Sequence, residues 1–355
     1  MGKGASTLAS FLRVRPVTAA PGRPPILPLA RPAVGFTAGV GLVAALATAS
    51  MAYGAMAIPL SEVVGAYTRF NGSDAHLVVT TVRMPRTLLA VTVGASLGIA
   101  GLLLQMLTRN PLADVEVAGI NAGAATAVVL VAVLGGASSL ALLTATSLAG
   151  AAAGGLLVYV LGALGRDGPT PLKLTLAGAA IWALGESLTS GLLTAHERAL
   201  DEVLFWLKGS VAGRELDLVG PLLPWMAAGW LAAVAVAPAL HVLTLGDDVA
   251  RGLGVPAGRV RLAAGATVVL LAGTAVAAAG PIGFVGLVAA HAARALLGLR
   301  PRWLVAYSAW IGAAVLLVAD LAGRFLAMPE ELPVGVTTAL LGAPLFILLG
   351  WRALR

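Results

Sequence analysis

The residues Trp182, Glu186, Ser190 and Thr194 recur every four positions within an apolar stretch of this 355-residue sequence. On an α-helix they would share one face and form a polar stripe, with Glu186 about midway along it. A carboxylate at that depth in lipid is costly, and it typically marks a path, a relay or a paired site. Two interpretations are open. Either the stripe lines a translocation path, or a protonated Glu186 makes an interhelical hydrogen bond that only fixes packing.

The sequence offers no recognisable arrangement for catalysis or metal binding. It contains no cysteine, which excludes disulfides, thiolate catalysis and thiolate metal sites. Its four histidines are scattered and show no spacing typical of metal ligands. A phosphate-binding loop of the P-loop type and an HExxH motif are missing from the sequence. We therefore predict a protein that is not an enzyme and has no cofactor and no metal site.

The composition indicates a membrane protein built from helices. Hydrophobic residues make up 59% of the chain and charged residues 11%, whereas soluble domains have roughly 25% charged residues. The mean hydropathy is +0.95, and apolar runs of 18 or more residues recur along the chain. The net charge of +7 comes from basic residues that lie between the apolar runs. We attribute it to orientation in the lipid bilayer rather than to nucleic-acid binding.

The apolar runs predict an all-α, polytopic membrane protein with about ten transmembrane helices. Residues 1–33 are basic and proline-rich, and we expect them to precede a permease-like domain of residues 34–355 as a cytoplasmic segment. With the N-terminus inside, 16 of the 23 Lys and Arg lie on the inner side, so both termini are predicted to be cytoplasmic. The predicted helices are about 34–60, 87–108, 115–135, 140–164, 172–194, 219–241, 258–279, 282–298, 303–323 and 334–352.

Ten helices divide into two halves of five, and an odd number in each half would make an internal repeat inverted in the membrane. Residue-by-residue similarity between the halves is not convincing, so the repeat is a possibility only. Two glycine pairs, Gly94/Gly98 and Gly119/Gly123, have the small-xxx-small spacing that lets helix backbones approach closely in lipid. We expect other helices to pack against both pairs.

Nine short motifs follow one another along residues 40 to 350. Together they resemble the permease family of binding-protein-dependent ABC importers for iron-siderophores, haem and cobalamin. Each motif is weak alone, and their order and spacing carry the resemblance. They are residues 83–86 (RMPR), 109–114 (RNPLAD), 119–123 (GINAG), 205–210 (FWLKGS), 245–254 (LGDDVARGLG), 280–286 (GPIGFVG), 319–324 (ADLAGR), 331–335 (ELPVG) and 342–344 (GAP).

The resemblance implies an assembly in a bacterial cytoplasmic membrane. A second permease subunit, identical or related, would complete the substrate path. Two cytoplasmic ATP-binding subunits would hydrolyse ATP on the inner side, and an extracytoplasmic solute-binding protein would dock on the outer side. In this family the fifth helix lines the path, which favours the path interpretation of the stripe around Glu186.

The resemblance assigns a coupling helix to about residues 246–255, which would contact the ATP-binding subunits. Acidic residues in its first turn and glycine at its end suit the helix dipole and a C-cap. An ordinary amphipathic connector between two spans would have the same pattern. The residues expected to act in coupling are Gly246, Asp247, Asp248, Arg251 and Gly254, with the three charged ones exposed.

The resemblance also matches Arg83, Arg86 and Arg324 to arginines that receive acidic residues of the binding protein. A guanidinium group grips a carboxylate at two points, which suits that role. Two alternatives stay open. Arg83 and Arg86 could instead extend to the membrane interface, and Arg324 could pair with Asp320 one helical turn earlier.

We predict from these features the permease subunit of an ABC importer for a metal chelate, most simply a ferric siderophore. Haem or cobalamin would fit the same family. An alternative from another class is an ion-coupled secondary transporter that uses Glu186 and Asp320 as ion carriers.

Overall fold

The computed structural model describes residues 32–54, 56–135, 139–164, 170–196, 203–204, 206–214, 216–298, 300–327 and 330–354. The predicted N-terminal segment 1–33 therefore lies outside the described residues except for its last two positions. The same holds for the charged turn at 165–169 and for part of the segment between 196 and 217.

The described residues form helices joined by short turns. A π-helical turn, Val78–Arg83, joins α3 to α4, and 3₁₀ turns occupy Glu116–Ala118 and Gly220–Leu222. The helices are α1 Pro32–Ala52, α2 Leu60–Thr68, α3 Asp74–Leu77, α4 Met84–Thr108, α5 Ile120–Val133, α6 Leu140–Ala163, α7 Pro171–Ala195, α8 Leu216–Val219, α9 Leu223–Thr244, α10 Asp247–Gly252, α11 Ala257–Ala279, α12 Val285–Leu297, α13 Pro301–Leu326 and α14 Val334–Leu354.

The all-α, polytopic prediction is confirmed. Each of the ten predicted membrane helices has a counterpart: α1, α4, α5, α6, α7, α9, α11, α12, α13 and α14. Among the described residues, 7 helices are long and apolar enough to cross a membrane. Of the other three counterparts, α5 and α12 are shorter apolar helices, and α14 has a short apolar segment, Val334–Pro344. The 14-residue α5 spans only about 21 Å, which is shorter than a bilayer core of roughly 30 Å.

Two predicted boundaries were wrong. The first helix ends at Ala52, and Pro59 precedes a separate helix α2, because proline fits a helix start but breaks an interior. The second helix was predicted to begin at about residue 87. The chain is instead helical from Asp74, and Asp74–Thr108 is one 35-residue apolar span.

Helix α4 lies at the centre of the molecule, and α13, α11, α12 and α9 pack around it. Gly94 and Gly98 allow α4 and α13 to pack closely. A Cβ at Gly94 would lie 2.5 Å from the carbonyl oxygen of Gly312, and a Cβ at Gly98 would overlap the carbonyl oxygen of Ser308. The expectation for this glycine pair is therefore confirmed. Close contact between backbones strengthens the van der Waals attraction between helices, which gain little from the hydrophobic effect in lipid.

The second glycine pair brings α5 against α6. Gly123 lies directly against Gly150 and Gly154, and Gly154 lies against the carbonyl of Gly119. Helix α7 then packs on the other side of α5, where Gly185 contacts Ala122. The three helices form a layer beside the central α4, and no described residues of the chain cover one face of α7.

Candidate translocation path and coupling surface

A cavity of about 510 Å³ lies along the uncovered face of α7. Its wall includes residues of α5, α7, α14 and the 281–284 turn that joins α11 to α12. Trp182, Glu186 and Ser190 lie on this wall, so the structure brings together three of the four predicted stripe residues. The fourth, Thr194, is not on the cavity wall, and its hydroxyl donates to the Ser190 carbonyl at 2.8 Å.

Helix packing at this wall does not depend on Glu186. Within the described part of the chain, Glu186 makes no hydrogen bond and no ion pair, and its side chain is exposed to the cavity. The polar contact between α5 and α7 comes instead from Thr126, whose hydroxyl lies 3.2 Å from the Thr189 hydroxyl and 3.2 Å from the Gly185 carbonyl. This arrangement favours the path interpretation over an interhelical hydrogen bond of Glu186. The path role itself stays a prediction.

A second carboxylate, that of Glu116, faces the same cavity, and we did not predict it from the sequence. Asp114 positions it: this buried carboxylate accepts hydrogen bonds from the backbone N–H groups of Val115 and Phe284, both at 2.8 Å. The loop after α4 is thereby held against the turn before α12, and Glu116 packs directly on the backbone of Gly283. The sequence indicated the importance of Glu116 only through its position. It follows the 109–114 motif, and its contact Gly283 lies in the 280–286 motif.

Among the described residues, no group of three or more His, Cys, Asp or Glu side chains could hold a metal ion.

The predicted coupling helix is helical over Asp247–Gly252, which is α10. Gly246 precedes it at φ 125°, and Gly254 follows it at φ 71°, a backbone region that favours glycine. Ala250 is fully buried, so the helix rests on the inner ends of its neighbours along one side.

The expectation that all three charged residues of α10 are exposed was wrong for Asp247. Both of its carboxylate oxygens lie 2.7 Å from Nη2 of Arg261, and one also accepts from Arg109 at the end of α4. Hydrogen bonds from Arg261 and Arg109 hold the pKa of Asp247 below its ordinary value, although partial burial acts in the opposite direction. Asp247 thus ties α10 to α4 and α11.

Asp248 and Arg251 match the expectation. Their side chains are 96% and 72% exposed, and they form a single i,i+3 ion pair at 3.1 Å. These two side chains lie on the surface of the described part of the chain, where another protein could reach them.

At the opposite end of α4, Arg86, Asp320 and Arg324 form a buried ion cluster. Asp320 lies 2.8 Å from Arg86 and 2.5 Å from Arg324, and Arg86 also reaches Glu331 at 2.5 Å. Arg324 donates in addition to the backbone carbonyl of Ser50 at 2.7 Å. The cluster joins α1, α4, α13 and the segment before α14, and the alternative of an Asp320–Arg324 pair is confirmed.

The cluster limits what the three predicted docking arginines can do. Arg83, Arg86 and Arg324 are 6%, 8% and 3% exposed, and Arg83 donates to the backbone carbonyls of Met51 and Met56. A direct grip on an acidic partner would require these internal bonds to open. Docking by these arginines stays a prediction.

Asp320 is poorly suited to carry an ion. It is 2% exposed, two guanidinium groups neutralise it, and it does not lie on the wall of the Glu186 cavity. The two carboxylates that a secondary transporter would use are therefore not connected.

Comparison with known proteins gives one consistent result. A model of the FecCD transport family matches residues 42–352. A Bacillus subtilis protein named "Probable siderophore transport system permease protein YfiZ" is 45% identical over 307 residues, which cover 86% of this chain and 92% of that protein. The ferric enterobactin transport system permease protein FepD of Escherichia coli is 40% identical over 319 residues, which cover 89% of this chain and 95% of that protein.

Among solved structures, one described as "an inward-facing conformation of a putative metal-chelate type ABC transporter" has the same fold. The TM-score is 0.78 at 27% sequence identity, and the match covers 90% of this chain and 99% of that chain.

Proposed function

Because this chain belongs to the FecCD transport family, we propose that it is the membrane permease subunit of an ABC importer that carries a ferric chelate into the cell. Subunits of this kind are not enzymes themselves. The relatives named above transport siderophores and ferric enterobactin, which favours a ferric chelate over haem or cobalamin as the cargo.

The single observation that carries the proposal is the cavity beside α7. It has room for a small molecule, its wall combines polar and apolar side chains, and it borders a helix face that no other part of the described chain covers. A second permease subunit packed on this face would enclose the cavity between two chains.

In the proposed assembly, separate ATP-binding subunits hydrolyse ATP and contact this chain at α10. The exposed pair Asp248–Arg251 would contact the ATP-binding subunits, and Asp247 would hold α10 rigidly enough to transmit their movement to α4 and α11. In this proposal α10 and both termini are cytoplasmic.

The outer surface would receive the solute-binding protein. We propose that Arg83, Arg86 and Arg324 support this surface through their bonds to α1, α13 and the segment before α14. Glu331, whose side chain is 39% exposed, then lies at the rim of the cluster.

Stimulation of ATP hydrolysis tests the proposal. The chain is purified in nanodiscs together with its ATP-binding subunits, and the hydrolysis rate is measured with empty and with chelate-loaded binding protein. We expect a several-fold rise with the loaded binding protein. Failure of the chain to form a complex with ATP-binding subunits, or a rate that never responds to loaded binding protein, would contradict it.

A further inference from the structure

The charges on the cavity wall indicate which chelates it accepts. Glu116 and Glu186 both face the cavity, and they lie close enough for their charges to act on each other. Lys208 is the one basic side chain among the described wall residues, so two carboxyl groups share the wall with one amine. A second identical subunit would double this excess of acidic side chains.

A polar side chain without a partner points to a ligand at the same place. Asn121, in the first turn of α5, lies on the cavity wall and is only 5% exposed. Among the described residues, neither its amide nitrogen nor its oxygen has a hydrogen-bond partner. Buried amides are normally satisfied, so a cargo that both donates and accepts hydrogen bonds would complete this site.

Trp182 adds a surface that attracts cations. Its ring is 39% exposed and lies one helical turn before Glu186 on the same face of α7. An ammonium group between an indole face and a carboxylate is stabilised by both. Leu193, Leu207 and Val336 provide apolar wall beside these groups for the carbon chain of a chelator.

We propose that this cavity selects ferric chelates that are neutral or carry a cationic group, with trihydroxamates as the fitting class and tricatecholates rejected. Three hydroxamates, each a monoanion, neutralise Fe³⁺, whereas three catecholates leave the complex with excess negative charge. Like charges brought together in a cavity of low dielectric repel strongly, so an anionic chelate is disfavoured at Glu116 and Glu186. This inference rests on the proposed function and names its substrate class.

Binding rather than transport tests the inference. The complex of permease and ATP-binding subunits is held in nanodiscs without nucleotide or binding protein, and ⁵⁵Fe chelates are measured by equilibrium dialysis. The probes are the ferric complex of desferrioxamine B, which bears a terminal ammonium group, its N-acetylated form, which does not, and ferric enterobactin. We expect the cationic form to bind roughly threefold to tenfold more tightly than the acetylated form, and ferric enterobactin to bind most weakly.

Variants of the wall identify the source of the preference. Glu186→Gln should bring the affinity ratio of the two trihydroxamates close to one. Gly283→Ala should also lower it, because the new methyl group would overlap the Glu116 carboxylate and displace it. The matched controls are Asp217→Asn, an exposed carboxylate away from this wall, and Gly191→Ala, a position on α7 with open space; both should keep the ratio.

The ratio is insensitive to partial misfolding, since misfolding lowers the binding of both forms alike. Equal affinity of the two forms in the unaltered protein, an unchanged ratio in Glu186→Gln, tighter binding of ferric enterobactin, or no binding of any probe would each overturn the inference. Charge-dependent binding without ATP-driven uptake would instead remove the proposed function and leave the inference standing.

Discussion

Asp320 is the residue that holds together the end of the helix bundle where α4 begins. It is buried between Arg86 and Arg324, and it is the only carboxylate that Arg324 contacts within the described residues. A buried cation that loses its counter-charge is costly, whereas an exposed pair contributes little. The cluster is therefore a structural feature first, whatever else the arginines do.

Replacing Asp320 by asparagine should destabilise the fold by about 3–5 kcal/mol, because Arg324 would stay buried without a carboxylate. The measurement is the free energy of unfolding in detergent micelles. Asp248→Asn, which removes an exposed pair, serves as the control and should leave stability unchanged. Equal stabilities of the two variants would show that the cluster is not a stabilising element.

A second prediction for a single residue concerns Asp247 and the hydrogen exchange of α10. Asp247→Asn should speed hydrogen exchange of the α10 amides, since the bonds from Arg261 and Arg109 weaken. Asp248→Asn should not change the exchange. An unaltered exchange rate in Asp247→Asn would mean that α10 is held by Ala250 and its apolar contacts alone.

The lowered pKa of Asp247 gives the sign of its pH dependence. A depressed folded-state pKa contributes stability that is fully present above the unfolded value of about 3.9 and is lost as the pH falls through the folded value. Protection of α10 should accordingly be the same at pH 7 and pH 5. A loss of protection already between these two values would contradict the assignment of Asp247 as the tether.

At the residue scale, the stripe could be predicted because a spacing of four places side chains on one helical face whatever the tertiary structure. Glu116 could not, because its position depends on a hydrogen bond from Phe284 to Asp114 across 170 residues of sequence. The exposure of Asp247 was misjudged for the same reason, since Arg109 and Arg261 come from other helices.

At the scale of elements, the close approach of α4 and α13 holds the core together. Gly98→Ala should separate these helices, because the new methyl group would overlap the Ser308 carbonyl oxygen, and we expect a cost of about 1–3 kcal/mol. Gly265→Ala on α11 is the matched control, since nothing lies within 4 Å of the added atom. The measurement is the thermal unfolding midpoint of each variant. Similar midpoints for Gly98→Ala and Gly265→Ala would show that α4 and α13 adapt without strain.

The number of helices and most of their boundaries can be predicted from hydropathy, glycine and proline. The reason is that backbone polar groups in lipid must be hydrogen-bonded within the chain, which an α-helix achieves. The shortness of α5 and α12 does not follow, since apolar residues beside these helices extend the hydropathy signal past their real starts. The backbone before α12 can leave helical geometry because its polar groups find hydrogen-bond partners within the protein. The N–H of Phe284, for example, donates to the Asp114 carboxylate.

For the whole molecule, the inner surface should transmit force through two exposed side chains. The double variant Asp248→Ala/Arg251→Ala should keep ATP hydrolysis and lower the amount of chelate imported per ATP hydrolysed by several fold, because the contact with the motor is lost while Asp247 keeps α10 in place. Both quantities are measured in the same proteoliposomes, with Glu62→Gln on another surface as the control. Unchanged import per ATP would exclude these residues from coupling.

The most direct test of the account is the energy source for uptake. Proteoliposomes containing this chain, its ATP-binding subunits and binding protein should accumulate ferric chelate only when ATP is supplied to the subunits. Vesicles with this chain alone should not accumulate chelate under an imposed pH gradient. Accumulation by the chain alone, driven by the gradient and without nucleotide, would contradict the account and support an ion-coupled transporter.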